Sequence, residues 1–373
     1  MKISLNKFLP AQYKELIRLW RFETRKSGPE DRLLESEIRE LGKSVREISR
    51  GLTGERIYAS ERYMNEPQFL GAYLLYYWPV SFAQFINVLN RLNFQPVKAL
   101  DFGCGPGPLS LALALAGCKD ITAVDRAKPA LNLAKTLMEK QKVKFTTLQM
   151  NLEQPLKLPA QDYDLIVCGH VINELWKGDG DRFVKRAALL QNLLGCLKDS
   201  GRLVVLEPAL MTTARELLSV RDLLISKGFH LEYPCVRQSA CPCLESDKTT
   251  CHSEFAWELP QAVKNLAQQA GFDKSTVKTA ALVFTKKNLN LKHSSCWRVV
   301  SERMLSKSGK LRFVVCGGAG RLSLSIKPAA EPSATEKIFR KLQRGDLIEF
   351  TGAEKRENGF ELTAGSKLTI RNS

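Results

Sequence analysis

The stretch ALDFGCGPGPLSLALA, Ala99 to Ala114, decides the fold. An apolar run of strand length ends in a turn that holds Gly103, Gly105 and Gly107, and an apolar run of helical length follows. Strand, glycine turn and helix in that order form a cradle, because glycine lets the backbone turn left-handed and approach a ligand closely. A dinucleotide turn reads G-x-G-x-x-G and seats a pyrophosphate on the helix N-terminus. This one reads G-x-G-x-G, with Pro108 where the third glycine belongs, and Asp101 stands two residues before the first.

Outward from the turn, strand and helix patterns alternate. VKALDFG, DITAVD, KFTTLQM, YDLIVCG and GRLVVLE are expected strands. LSLALALAG, AKPALNLAKTLMEKQ, RFVKRAALLQNLLGCLK and TARELLSVRDLLISKG are expected helices, and WELPQAVKNLAQQAG and KTAALVFTKK add a further helix and a closing strand. Such alternation predicts an α/β domain with a doubly wound, mostly parallel sheet. It spans residues 96–289 and carries a Cys-rich insertion at 233–255. Residues 1–95 place apolar side chains at three- and four-residue spacing, as in LPAQYKELIRLWRFETR, and are expected as a helical N-terminal domain. Pro79 should break or kink its last helix. Residues 290–373 have short strands with glycine turns, which predicts a small C-terminal β domain.

The glycine turn with its preceding carboxylate resembles motif I of the S-adenosylmethionine-dependent methyltransferases with a Rossmann-like fold. That resemblance implies that Asp101, Gly103, Gly105 and Gly107 belong to the binding site of S-adenosyl-L-methionine. It gives Asp125, 22 residues after Gly103, to the ribose hydroxyls. Asn151 would meet the adenine, where that superfamily more often has aspartate. Catalysis is a separate matter. DLIVCGHVINEL lacks the Asn/Asp-Pro-Pro-aromatic segment that holds an exocyclic amine for methylation. Cys168 sits in an apolar strand and reads as core. Asn173 and Glu174 read as cap or pocket-closing residues, with Glu174 a conceivable base. No residue is assigned a catalytic role.

The 373 residues carry 56 Lys and Arg against 39 Asp and Glu. Ten basic residues (Lys286, Lys287, Lys292, Arg298, Arg303, Lys307, Lys310, Arg312, Arg321 and Lys327) face only Glu302 between 286 and 327, so over half of the +17 net charge is concentrated there. A clustered positive stripe is the electrostatic footprint of nucleic-acid binding. The start, MKISLNKFLPAQYKELIRLW, has neither secretory nor transit-peptide character. No window approaches the ~18 apolar residues of a membrane span. A cytoplasmic location is expected, where thiols stay reduced. Scattered cysteines such as Cys118, Cys168 and Cys196 then read as core, and clustered ones as metal ligands.

One such cluster, PCVRQSACPCLESDKTTCH, holds Cys235, Cys241, Cys243 and Cys251 in seventeen residues and ends on His252. Its spacing matches neither a paired C-x2-C zinc ribbon nor a ferredoxin run. Pro234 and Pro242 are expected to hold the loop extended. The loop alone leaves zinc and an iron–sulfur cluster as equal alternatives.

Several motifs together resemble the mitochondrial-type small-ribosomal-subunit methyltransferase-like family, as a bacterial member. Ala72-Tyr73-Leu74 followed by Trp78-Pro79 is similar to its Ala-Tyr-Leu…Arg-x-Pro-Ala, with Tyr77 at the Arg position and Val80 for the last Ala. Pro234-Cys235, Cys241-Pro242 and Cys251-His252 are similar to its Pro-Cys-Pro-His…Cys-Pro…Cys-His-Phe, with Val236, Arg237 and Ser253 as departures. TAALVF resembles the family's closing strand and Arg344-Gly345-Asp346 its C-terminal Gly-Asp. The resemblance implies a four-iron, four-sulfide (4Fe-4S) cluster on Cys235, Cys241, Cys251 and Cys316, with Cys243 and Cys296 as rival ligands and zinc as the alternative metal. His252 is expected to donate a hydrogen bond near the centre or to cap the loop. Also implied are the small ribosomal subunit and its rRNA as partners, in assembly or translation. A catalytically active methyltransferase on ribosomal RNA or protein is the alternative, a cluster-based redox or iron sensor a third. A monomer is expected.

Overall fold

The computed structural model describes residues 3–53, 66–92, 94–155, 158, 161–287 and 295–371. Among the described residues, four helices come first: α1 (Leu5–Thr24), α2 (Glu35–Thr53), α3 (Pro67–Ala72) and α4 (Trp78–Leu89). The α/β part follows with β1 (Lys98–Phe102), α5 (Pro108–Leu115), β2 (Asp120–Asp125), α6 (Lys128–Met138), β3 (Lys144–Gln149), β4 (Tyr163–Gly169), α7 (Arg182–Gly195) and β5 (Leu197–Glu207). It closes with α8 (Met211–Ser226), β6 (His230–Tyr233), β7 (Ser253–Ala256), α9 (Gln261–Ala270) and β8 (Thr276–Thr285). The strand order is β3-β2-β1-β4-β5-β8-β6, with β7 also paired to β8. β1 to β5 run parallel, and β8 lies antiparallel to β5. This is the expected doubly wound, mostly parallel sheet.

Alternation along each strand splits the core between the two faces. On β4, Leu165 and Val167 join the cluster that holds Trp20, Leu74, Phe82 and Phe85 of the N-terminal helices. Ile166 and Cys168 join the opposite cluster, built on Leu190 and Leu194 of α7 and Val220 of α8. The N-terminal helices therefore cover one face of the sheet and share its core. Between α3 and α4 the chain makes a π-helical turn, Tyr73–Tyr77, closed by Trp78 N–H donating to the Tyr73 carbonyl. Pro79 lies within the first two positions of α4 and does not break it. The widened turn just upstream takes up the strain, since proline cannot donate and its ring crowds the preceding carbonyl.

The C-terminal part holds a second sheet from β9 (Trp297–Val299), β10 (Met304–Leu305), β11 (Leu311–Gly317), β12 (Gly320–Ile326), β13 (Leu347–Thr351), β14 (Glu354–Arg356), β15 (Gly359–Leu362) and β16 (Lys367–Arg371). It also contains a helix that the strand texture gave no reason to expect, α10 (Ala334–Lys341), capped by the Ser333 hydroxyl accepting from Glu336 N–H at 3.2 Å. Phe339 of α10 packs with Phe313, Leu324 and Ile348 to form this part's own core. Lys292 and the boundary at residue 290 lie outside the described residues. No helix among the described residues is long and apolar enough to cross a membrane.

Arg21 on α1 and Glu37 on α2 form a buried ion pair at 2.7 Å, and Glu37 also accepts from Leu34 N–H at 2.7 Å. Glu37→Ala should cost about 3–5 kcal/mol in chemical denaturation, because it strands a buried guanidinium. Disrupting the exposed Lys144–Asp120 pair, 2.9 Å apart, should change stability by under about 1 kcal/mol.

Candidate functional site

Three glycines in the left-handed region bend the chain after β1: Gly103 at φ 78°, Gly105 at 50° and Gly107 at 76°. A Cβ on Gly103 would lie 2.6 Å from Val171 Cγ2, so position 103 has no space for a side chain. The turn is tied to the end of β2. Gly103 and Cys104 N–H both donate to the Val124 carbonyl, at 2.8 and 3.0 Å. Asp125 accepts from Gly105 N–H at 2.8 Å and from Ala127 N–H at 2.9 Å, one bond on each carboxylate oxygen.

Beside this turn lies a cavity of about 600 Å³. Gly103, Gly105, Asp125 and Asn151 line it, whereas Asp101 and Gly107 stand behind it. Asp101 is 1% exposed and accepts from Ser110 Oγ at 2.6 Å, which fastens β1 to α5. Its other oxygen is buried without a partner, and burial raises its carboxyl to about 7. Gly107 caps α5 at its N-terminus against Ala134, whose Cβ is 3.1 Å from where a Cβ of Gly107 would sit.

The cavity runs on past the glycine turn to residues to which the sequence gave no binding role. Tyr73, Tyr76 and Tyr77 of the π-helical turn form one wall, and His170, Gln84 and Lys274 contribute to others. His170 has a left-handed backbone (φ 59°), and its Nε2 meets Gln84 Oε1 at 2.7 Å. Gln84 donates its own amide to the Lys278 carbonyl at 2.8 Å, so its oxygen faces the imidazole and His170 carries its proton on Nε2. Burial, then the charge of Lys274, lowers His170 to about 4, so the ring is neutral. Glu174 also lines the cavity, and burial raises it to about 7. Asn173 does not cap a helix: its backbone N–H donates to Glu207 at 3.1 Å and its amide to the other oxygen of that carboxylate. Only the Tyr-rich segment carried a legible signal of this wall. The His170–Gln84 contact joins residues 86 positions apart.

A second, small cavity lies where the C-terminal part meets the α/β part. Cys235, Cys241, Cys243, Cys251 and Cys316 all line it. Arg215 fastens the loop through one nitrogen, Nη1, which donates to the carbonyls of Cys243 (2.9 Å), Ser246 (2.5 Å) and Thr249 (2.7 Å). Cys241 N–H donates to Asp222 at 2.9 Å. The loop is not extended throughout: Pro242 opens a short 3-10 turn to Glu245, since its fixed φ suits a first helical position. Burial, then the neighbouring Cys235, Cys241 and Cys316, raises the Cys251 thiol to about 12. All ten cysteines are free. Among the described residues, no group of three or more His, Cys, Asp or Glu side chains is arranged to hold a metal ion. Cys296 lies elsewhere, packed with Val236 and Leu347, with its sulfur 3.3 Å from Glu349 Oε1. His252 makes neither expected contact: both ring nitrogens are buried with no hydrogen-bond partner, and Glu254 Oε2 stays 3.9 Å from Nε2.

Arginines surround the same cavity. Arg221, Arg237, Arg298 and Arg321 line it, and Arg321 Nη1 lies 3.2 Å from Cys243 Sγ. The basic stripe is therefore divided. Arg298 and Arg321 turn inward, Lys310 pairs with Glu361 at 2.7 Å, and Lys286 donates to the Leu197 carbonyl. Lys287, Arg303, Lys307, Arg312 and Lys327 are exposed.

A family model described as "Mitochondrial small ribosomal subunit Rsm22" matches residues 69–348. A ribosomal protein L11 methyltransferase of Prochlorococcus marinus strain MIT 9301 is 28% identical over 123 residues, 32% of this chain and 37% of that protein. This match thus spans just over a third of the relative's length. Among solved structures, a ribosomal protein L11 methylase from Lactobacillus delbrueckii subsp. bulgaricus aligns with 13% identity and a TM-score of 0.35, covering 56% of this chain and 78% of that one. The N-methyltransferase NodS from Bradyrhizobium japonicum WM9, in complex with S-adenosyl-L-homocysteine, aligns with 13% identity and a TM-score of 0.38, covering 65% and 97%.

Asp101 yields a pH signature. Its folded pKa lies above the unfolded value of 3.8, so the folded state holds the proton longer and stability falls as pH rises from about 4 to about 7. Asp101→Asn removes that titration. The stability of the variant relative to the parent should therefore rise between pH 5 and pH 8, by at most about 3 kcal/mol. A flat difference across that range would contradict the assignment.

Proposed function

The chain belongs to the mitochondrial small ribosomal subunit Rsm22 family, whose model matches residues 69–348, and from that premise we propose that it is a cofactor-binding assembly or translation factor of the small ribosomal subunit. In this reading S-adenosyl-L-methionine occupies the cavity beside the glycine turn. The observation that carries it is the pairing of that turn with Asp125, which ends the neighbouring strand and faces the same cavity. Gly103 and Gly105 let the cofactor approach the backbone, Asp125 accepts from its ribose hydroxyls and Asn151 meets the adenine. Asp101 and Gly107 act from behind, by fixing the turn.

The partner is small-subunit rRNA, met by the exposed part of the basic stripe, and the setting is the cytoplasm. The working division is a helical unit at 1–95, a cofactor unit at 96–289 and a basic β unit at 290–373, acting as a monomer. Cys235, Cys241, Cys251 and Cys316 hold a four-iron, four-sulfide cluster, which links the β unit to the cofactor unit. Two features support an anionic centre at this place. Five thiols share one cavity. Buried guanidinium nitrogens with no partner, on Arg221, Arg298 and Arg321, suit an anionic occupant. The cluster would supply a soft, anionic cross-link.

A second reading, an active methyltransferase, is favoured by the length of the cavity. It continues past the cofactor's place to His170 and Glu174, where an acceptor and a base would fit.

Calorimetry should show S-adenosyl-L-methionine binding that Asp125→Ala weakens at least tenfold; undiminished affinity would end the assignment of the ribose contact. Binding to small subunits should weaken with salt, with a log–log slope no steeper than about −4.5 if the five exposed cations each meet one phosphate. Salt-independent binding would remove the stripe from the interface. Labelled cofactor incubated with immature subunits separates the two readings, since transfer of label requires the second.

A further inference from the structure

We infer that the four arginines around the thiol cavity form a charge shell that favours the reduced state of the metal centre. This inference rests on the iron–sulfur reading above. Arg221 is fully buried, and its Nε, like those of Arg298 and Arg321, has no hydrogen-bond partner. Arg221 pairs with Asp222, whereas Arg237, Arg298 and Arg321 have no carboxylate partner among the described residues. Arg237 meets only Ser239 Oγ, at 2.7 Å, Arg298 donates to the Gly345 carbonyl at 2.6 Å and lies over the Tyr233 ring, and Arg321 contacts Cys243. Four guanidiniums and one carboxylate leave three positive charges around one enclosed space.

Arg237, Arg298 and Arg321 are half-buried, with the Nε atoms of Arg298 and Arg321 out of reach of solvent, and gathering cations about one small cavity without counter-charge is unfavourable, so this arrangement favours an anion inside it. Four thiolates on a 4Fe-4S core make a dianion when oxidised and a trianion when reduced. Three net cations match the trianion better. Net charge and hydrogen bonds to the sulfurs are among the factors that set such potentials. One-electron reduction adds one negative charge inside the shell and breaks no bond, the electron coming from an external low-potential donor. The shell straddles two parts of the chain. Arg221 and Arg237 belong to the α/β part, while Arg298 (β9) and Arg321 (β12) belong to the C-terminal part. The same charges that tune the centre therefore hold the two parts together only while the anion is present.

The test uses the full chain purified anaerobically, with iron and sulfide analysis followed by an EPR-monitored redox titration. Arg298→Gln and Arg321→Gln, singly and together, should retain the cluster and shift its potential downward. The double variant should favour the oxidised form at least tenfold more than the parent, about 59 mV for one electron. Arg321→Lys keeps the charge and should stay near the parental potential. Loaded Gln variants with unchanged potentials overturn the inference and leave the cluster reading standing. Parent protein that binds zinc or no metal overturns the cluster reading itself. Loss of the cluster from the Gln and Lys variants alike, with circular dichroism intact, assigns the arginines to packing and overturns the inference. Loss from the Gln variants alone supports it.

Discussion

The bonds between the glycine turn and the end of β2 are the constraint on which the cavity beside that turn depends. Backbone N–H groups of Gly103, Cys104 and Gly105 are all spent on Val124 and Asp125. With those groups satisfied, the turn stays open toward the cavity instead of folding onto itself. Asp125 thereby has two duties. One oxygen steadies the turn and the other starts the segment to α6, yet the carboxylate still faces the cavity. Its burial raises its pKa, although the backbone donors oppose the rise. A substitution there disturbs scaffold and site together.

The opposite wall comes from a different source. Because the N-terminal helices share a core with one face of the sheet, the π-helical turn at Tyr73–Tyr77 is held over the cavity by packing, through Leu74, Leu75 and Tyr76. A π-turn offsets the following helix and redirects side chains, and such turns recur at functional sites. Here it places three tyrosines along one cavity, opposite a histidine kept neutral by burial. The helical segment is thus part of the site.

Legibility in the sequence followed the range of the interaction. The glycine turn, the alternating strands and the carboxylate at the end of β2 are local patterns, and each was readable where it stands. Two kinds of feature were not. The His170–Gln84–Lys278 chain joins distant residues through tertiary packing, and no periodicity encodes it. The helix α10 is a short segment within a strand-rich region, stabilised by its cap and by Phe339 in a non-local core. The family resemblance favoured Cys316 over Cys296 as the thiol facing the loop, and Cys316 does lie on that cavity. His252 shows the reverse. Adjacency to Cys251 suggested a contact, but the fold leaves both ring nitrogens without a hydrogen-bond partner, with Glu254 3.9 Å away.

Charge counted along a chain says where cations are, but folding decides which of them remain available. The stripe from 286 to 327 reads as one surface, yet its members divide between two tasks in the fold. Arg298 and Arg321 point to the thiols, and Lys310 is held by Glu361. Buried cations contribute little to attraction at a distance, because the anion they surround cancels them, whereas exposed ones keep their field subject to salt. Any anion that fills the thiol cavity would therefore leave the outer field to Lys287, Arg303, Lys307, Arg312 and Lys327. Losing that anion would expose three inner charges to one another across the junction between the two parts. The thiol cavity and the basic face thus draw on one stretch of sequence, with Arg298 and Arg321 turned to the cavity and the exposed lysines and arginines turned to solvent.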